Sequence, residues 1–139
     1  MKPRKTLRKK SLTKTIWKKA FRDCERALIA AVNRRDKDCQ LCHGAEGDPV
    51  LQMDHAIIRR GHLAMFFEIR QMVLLCKTCH CNKTNDNFGA VYRVIEIVRR
   101  REGREFVNRI TDPLIYKPAK KWSYLELENM TEEFKGMFL

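Results

Sequence analysis

Apolar residues recur at three- to four-residue steps from about Ser11 to Arg34. Ile16, Ala20, Phe21, Cys24, Ala27, Leu28, Ala31 and Val32 fall on one face, the periodicity of an amphipathic helix. Lys14, Lys18, Lys19, Arg22 and Arg26 lie off that face. Two shorter apolar runs follow, Val50-Leu51-Gln52-Met53 and Met72-Val73-Leu74-Leu75, each long enough for one short strand. Gly44, Gly47 and Pro49 keep the approach to the first run irregular, and the segment from Ile57 to His62 opens a long loop. Asn85 to Asn87 can cap a further helix in which Phe88, Val91, Tyr92, Ile95 and Val98 share a face. Arg99, Arg100 and Arg101 stand in its last turn, where cations suit the helix dipole, and Gly103 terminates it. A helical turn is predicted around Phe106 to Ile110, then an extended linker marked by Asp112-Pro113 and Lys117-Pro118. Ser123 and Glu126 form a capping box for a closing helix with Leu127, Met130, Phe134 and Met137 or Phe138 inside. The pattern predicts a small α+β fold with two strands at its centre and helices on either side.

A chain of 139 residues can bury one modest core. The expected organisation is a basic mobile arm over 1–10 and a single domain over 11–139. That domain divides into an N-terminal helix (11–36), a core (38–88) and C-terminal helices (89–139). The formal net charge of +12 comes from 29 Lys and Arg against 17 Asp and Glu, spread along the chain. Such a balance points to a polyanionic partner, nucleic acid first and an anionic membrane surface second. For the arm, phosphate contact and a solubilising tail are weighed equally. No run reaches the roughly 18 to 20 apolar residues of a membrane span. The basic N-terminus is not followed by an apolar signal core, so the expected location is the cytoplasm.

The six cysteines change the picture. Cys39/Cys42 and Cys76/Cys79 are two Cys-x-x-Cys pairs, which in a basic, unexported chain read as metal thiolates in preference to disulfides. Two such knuckles can supply the tetrahedral shell of a Zn²⁺ ion with no open position, hence a structural one. His43 and Cys81 are neighbouring competitors for that shell. Cys24 lies on the apolar face of the first helix and reads as core.

Between and after the pairs stand Asp54-His55 and His80. A strand end carrying a carboxylate and an imidazole can hold a divalent ion with the first and activate water with the second. His80 can reach the same ion. Asn82, Thr84 or Asn85 can complete its ligands, each being within about one helical turn. Lys83, Arg59 and Arg60 are candidates for charge beside a phosphate. His62 reads as a loop residue. Lys18, Lys19, Arg99 and Arg100 are candidate nucleic-acid contacts.

Cys39-x-x-Cys42, Asp54-His55, Leu75-Cys76-x-x-Cys79-His80 and Lys83-Thr84 together resemble the zinc-knuckle branch of the HNH (ββα-metal) endonuclease superfamily, over about residues 38 to 85. The resemblance implies an HNH core with a four-cysteine structural zinc. It further implies His55 as general base, Asp54 and His80 as ligands, and Mg²⁺ or Mn²⁺ as the working ion. Gln71 stands where the family carries an Asn that braces the loop and the base; it offers the same amide on a longer stem.

Further residues extend a second resemblance: Arg34-Arg35-Asp36, Phe67-x-x-Arg70, Tyr92-Arg93, Gly103-Arg104-Glu105-x-Val107 and Trp122-Ser123. They are similar to the NinG/Rap recombination nucleases of lambdoid phages. That resemblance implies branched DNA such as D-loops and four-way junctions and a bacterial or phage-encoded setting; since resolving a junction symmetrically requires two active sites, a homodimer is expected. Asp54 and His80 depart from that family, which commonly carries Gly and Asn there. The readings carried forward are a branched-DNA nuclease in recombination or repair, a duplex-cutting HNH enzyme of homing, packaging or restriction type, and a non-catalytic zinc-knuckle module that binds nucleic acid.

Overall fold

The computed structural model describes residues 4–58, 65–112 and 121–139, with backbone alone for 4–12. These residues form α1 (Arg4–Asp36), β1 (Leu51–His55), β2 (Met72–Cys76), α2 (Lys77–Thr84), α3 (Ala90–Glu102), α4 (Arg104–Thr111) and α5 (Tyr124–Gly136). Short 3-10 segments occur at Ile69–Gln71 and Asn87–Gly89. The fold is thus small α+β, as the apolar pattern predicts. None of the described helices is long and apolar enough to cross a membrane. The predicted linker at Pro113 and Lys117-Pro118 lies outside the described residues.

Two observations concern the N-terminal end. Helix α1 begins at Arg4, within the segment expected to be an arm. Lys and Arg are good helix formers, and the sequence from Arg4 to Asp36 contains neither Gly nor Pro, so nothing interrupts the helix before Ser11. The chain forms two compact units, Met1–Ala31 with Trp122–Leu139, and Val32–Lys121. At about 1.5 Å per residue, α1 runs on the order of 50 Å, and its residues contribute to both units.

In the first unit Ala20, Cys24, Ala27, Leu28 and Ala31 of α1 are buried, as are Leu127, Thr131 and Phe134 of α5. The Trp17 indole N–H donates to the Trp122 carbonyl at 2.7 Å. The capping box is present, with Glu126 N–H donating to Ser123 Oγ and Ser123 N–H to the Glu126 carboxylate. Ile16, expected inside, is exposed, and of the alternatives Met137 and Phe138 it is Met137 that is half-buried.

The second unit is built on the hairpin of β1 and β2, antiparallel with Leu51 opposite Cys76 and His55 opposite Met72. All five residues of β2 are buried. Val73 and Leu75 join Val94 and Val98 of α3 and Phe106, Val107 and Ile110 of α4 in one cluster. Full burial of each such side chain stabilises by about 1.5 to 3 kcal/mol. A charged clamp holds β2 from its other end. Leu74 N–H donates to Asp36 Oδ2 at 2.9 Å. Arg35 pairs with Asp36 and donates to the Ile69 and Met72 carbonyls. Arg101 donates to the carbonyls of Arg70 and Met72. Arg101, read from sequence as a helix-dipole cation, is therefore a cross-chain anchor.

The buried face of α3 also differs from expectation. Ala90, Val94 and Val98 are inside, whereas Phe88 and Tyr92 are exposed. Left-handed backbone at Asp86, Phe88 and Gly89 separates α3 from the preceding turn, so Phe88 is not in phase with α3.

Candidate metal and catalytic centre

Each knuckle begins as a tight turn whose second cysteine amide points back at the first sulfur. Cys42 N–H donates to Cys39 Sγ at 3.5 Å and Cys79 N–H to Cys76 Sγ at 3.4 Å. Cys76 ends β2 and caps α2 with the same sulfur. Gln40 N–H donates to the Leu74 carbonyl at 2.9 Å, which brings the first knuckle beside β2. The four sulfurs lie within 4.8 Å of one another. A tetrahedral thiolate shell with bonds of about 2.3 Å has sulfur–sulfur edges of about 3.8 Å, and the Cys42 and Cys76 sulfurs are 3.8 Å apart. Among the described residues this is the group of three or more His, Cys, Asp or Glu side chains able to hold a metal. Burial pushes the Cys76 and Cys79 thiols up. Hydrogen bonding from the Glu46 amide draws Cys42 down to about 7. A metal at this site would displace protons from the buried pair.

The second knuckle fixes α2 against the end of β1. Asp54 is 4% exposed. His80 and Lys83, three residues apart on one helical face, both reach it. His80 Nε2 is 3.4 Å from Asp54 Oδ1 and Lys83 Nζ 2.8 Å from Asp54 Oδ2. Lys83 also donates to the His55 carbonyl at 2.9 Å. The His55 ring lies against Phe66, centroids 5.1 Å apart, with Nε2 3.1 Å from the Phe66 carbonyl. A carbonyl can only accept, so Nε2 carries a proton in this contact, and a base role for the neutral imidazole would fall to Nδ1.

Gln71, fully buried, spans the two arms of the long loop. Its Oε1 accepts from Ile58 N–H at 2.8 Å and its Nε2 donates to the Met65 carbonyl at 3.0 Å. Arg59, Arg60 and His62, between those anchors, lie outside the described residues.

The chain matches no family model, no curated protein and no solved structure.

The remaining sequence candidates are placed as follows. Thr84 donates its hydroxyl to the His80 carbonyl at 3.0 Å. Asn82 accepts from the Asn87 amide at 3.4 Å, about 200° around α2 from His80. Lys18 and Arg100 are exposed; Lys19 pairs with Asp23 and Arg99 with Glu96. His43 lies 3.6 Å from Asp38 and Cys81 is exposed. Asp48 escaped the sequence reading, although its carboxylate accepts from Val50 N–H and from both the N–H and hydroxyl of Thr78, tying the loop after the first knuckle to α2. An Asp-Pro step ahead of a strand was its available signal.

Proposed function

We propose that this protein is a metal-dependent DNA endonuclease of HNH type, hydrolysing phosphodiester bonds in branched DNA during recombination or repair. The observation that carries the reading is the convergence on Asp54 of His80 and Lys83 beside an imidazole whose Nε2 is tied to a backbone carbonyl. The four-cysteine cluster would hold a structural Zn²⁺ that orients α2. Asp54 and His80 would hold a Mg²⁺ or Mn²⁺ ion, with substrate phosphate and water filling the other positions, as is common for Mg²⁺. Such an ion supplies Lewis-acid stabilisation of the phosphate and the leaving oxygen.

His55 Nδ1 takes a proton from the attacking water as the new P–O bond forms. The opposite P–O ester bond breaks, and its oxygen takes a proton from solvent water as it leaves. Lys83 keeps Asp54 and the His55 backbone in register and adds positive charge beside the phosphate. Gln71 braces the loop that carries the Phe66 carbonyl. The formal charge of +12 supports phosphate-tracking affinity without sequence readout. Symmetric resolution of a four-way junction needs two such sites, so the active form on that substrate is a homodimer.

The test is incubation with Mg²⁺ or Mn²⁺ and matched linear duplex, flap, D-loop and four-way DNA, alongside His55→Ala. Cutting confined to branched substrates and lost in the variant supports the proposal. Equal cutting of plain duplex assigns a homing, packaging or restriction role. Binding without cutting in either metal assigns a non-catalytic binding module.

A further inference from the structure

Phe88 is 84% exposed and adopts φ 56, ψ 30, a left-handed conformation disfavoured for residues with a side chain. No burial of its ring offsets that conformation. The surrounding turn imposes it: Asn85 N–H donates to the Cys81 carbonyl and Asp86 N–H to the Lys83 carbonyl, each at 3.0 Å, and the Asn87 amide donates to Asn82. The turn is thus fastened to α2, which carries His80 and Lys83. Strained residues of this kind concentrate where a ligand is handled.

Phe88 borders a recess of about 380 Å³ that adjoins the four-cysteine cluster through Cys42 and Cys79 and is further lined by Asn82, Asn87, Arg93 and Glu46. The bond between the two side-chain amides engages Asn82 Oδ1 and one Asn87 N–H, which leaves the Asn82 NH₂ as a donor and the Asn87 side-chain carbonyl as an acceptor for a heterocycle. A carboxylate such as Glu46 can accept from an exocyclic amino group, and the exposed Arg93 guanidinium can attract phosphate. An aromatic face, amide edges and one cation are the components of a site for an unpaired base.

We propose that this recess receives a single unpaired nucleobase stacked on Phe88, with Arg93 on the adjoining phosphate. The inference rests on the nuclease reading for its choice of nucleic acid and deepens it. A base must leave the duplex to reach the ring, so the site selects DNA with unpaired positions near a branch and gives no advantage to plain duplex.

The test uses the full metal-loaded chain without added Mg²⁺ or Mn²⁺. The probes are branched DNA carrying 2-aminopurine at an unpaired position and a duplex carrying the same base paired. The expected result is a change in probe fluorescence on the branched DNA. Phe88→Ala should weaken branched-DNA affinity by about 5- to 150-fold with duplex affinity unchanged, and Phe88→Trp should retain binding. Equal affinity of Phe88→Ala and wild type for the branched probe overturns the inference. So does an equal loss on both DNAs, or a change in sedimentation of the protein alone with the probe signal unaltered. A parallel cleavage assay with Mg²⁺ separates the two proposals. Cutting that survives Phe88→Ala with an unchanged probe signal removes the base site alone. A Phe88-dependent probe signal without cutting removes the nuclease reading alone.

Discussion

The Lys83 ammonium bridges Asp54 Oδ2, at 2.8 Å, and the His55 carbonyl, at 2.9 Å. One helix side chain therefore holds two consecutive strand residues, an acid by its side chain and its neighbour by its backbone. Removing one partner of a buried pair leaves the other uncompensated, at about 3 to 5 kcal/mol. Lys83→Met should cost about 3 kcal/mol in denaturant unfolding. Asp54→Asn combined with Lys83→Met should cost less than the two single effects added, a coupling that a double-mutant cycle reads directly.

Elemental analysis should find one zinc per chain. Cys39→Ser, Cys42→Ser, Cys76→Ser or Cys79→Ser should each lower it towards none, whereas Cys24→Ser and Cys81→Ser should retain it. The metal competes with protons for thiolates, and burial raises Cys76 and Cys79. Metal retention should accordingly be fullest at neutral to alkaline pH and fall as pH falls. Titrating released zinc with a chromogenic chelator checks the direction.

Gln71 is long enough to serve Ile58 N–H and the Met65 carbonyl at once. Gln71→Leu should destabilise by about 2 kcal/mol, since it leaves the buried Ile58 N–H and the partly buried Met65 carbonyl without their side-chain partner. Gln71→Asn, the residue of the HNH pattern, should lose about 1 kcal/mol, because the shorter stem forfeits one of the two bonds. Thermal melts of the two variants against wild type decide it.

Cys24 is fully buried in the first unit, and burial pushes its thiol from an ordinary 9.0 up to about 11, with the Thr131 hydroxyl partly opposing. The folded state holds this proton more tightly than the unfolded one. The associated stability is therefore complete below pH 9 and is lost as pH rises towards 11, on the order of 2 kcal/mol. Cys24→Ala should flatten that alkaline loss, measured as the difference between wild-type and variant unfolding curves at pH 8 and pH 10.5.

The elements legible in the sequence are those whose signal is local. The two apolar runs, the capping box at Ser123 and the Cys-x-x-Cys pairs each declare themselves within a few residues, and they appear where expected. The proximity of Asp54 to His80 was readable only as a consequence of the knuckle, which places α2 directly after β2. Arg35, Asp36 and Arg101 were not readable as a clamp. Their partners are backbone groups up to 38 residues away, and an Arg in the last turn of a helix has a sufficient local explanation already. Phe88 misled for a similar reason. Its spacing fits a helix face, and left-handed backbone at a non-glycine residue carries no compositional mark.

Cys76 closes β2, caps α2 and offers a sulfur to the four-cysteine cluster. Three duties on one residue set the angular phase of the helix that follows. One residue added between Cys79 and His80 would turn the imidazole by about 100° around the α2 axis and carry it away from Asp54, although every side chain of the motif would survive. The Gly44–Gly47 turn, where both glycines are left-handed and exposed, imposes no such phase. Chain length is therefore unforgiving over the eight residues from Cys76 to Lys83 and permissive a few residues after the first knuckle, so viable relatives of this protein should differ in length at the second place and not at the first.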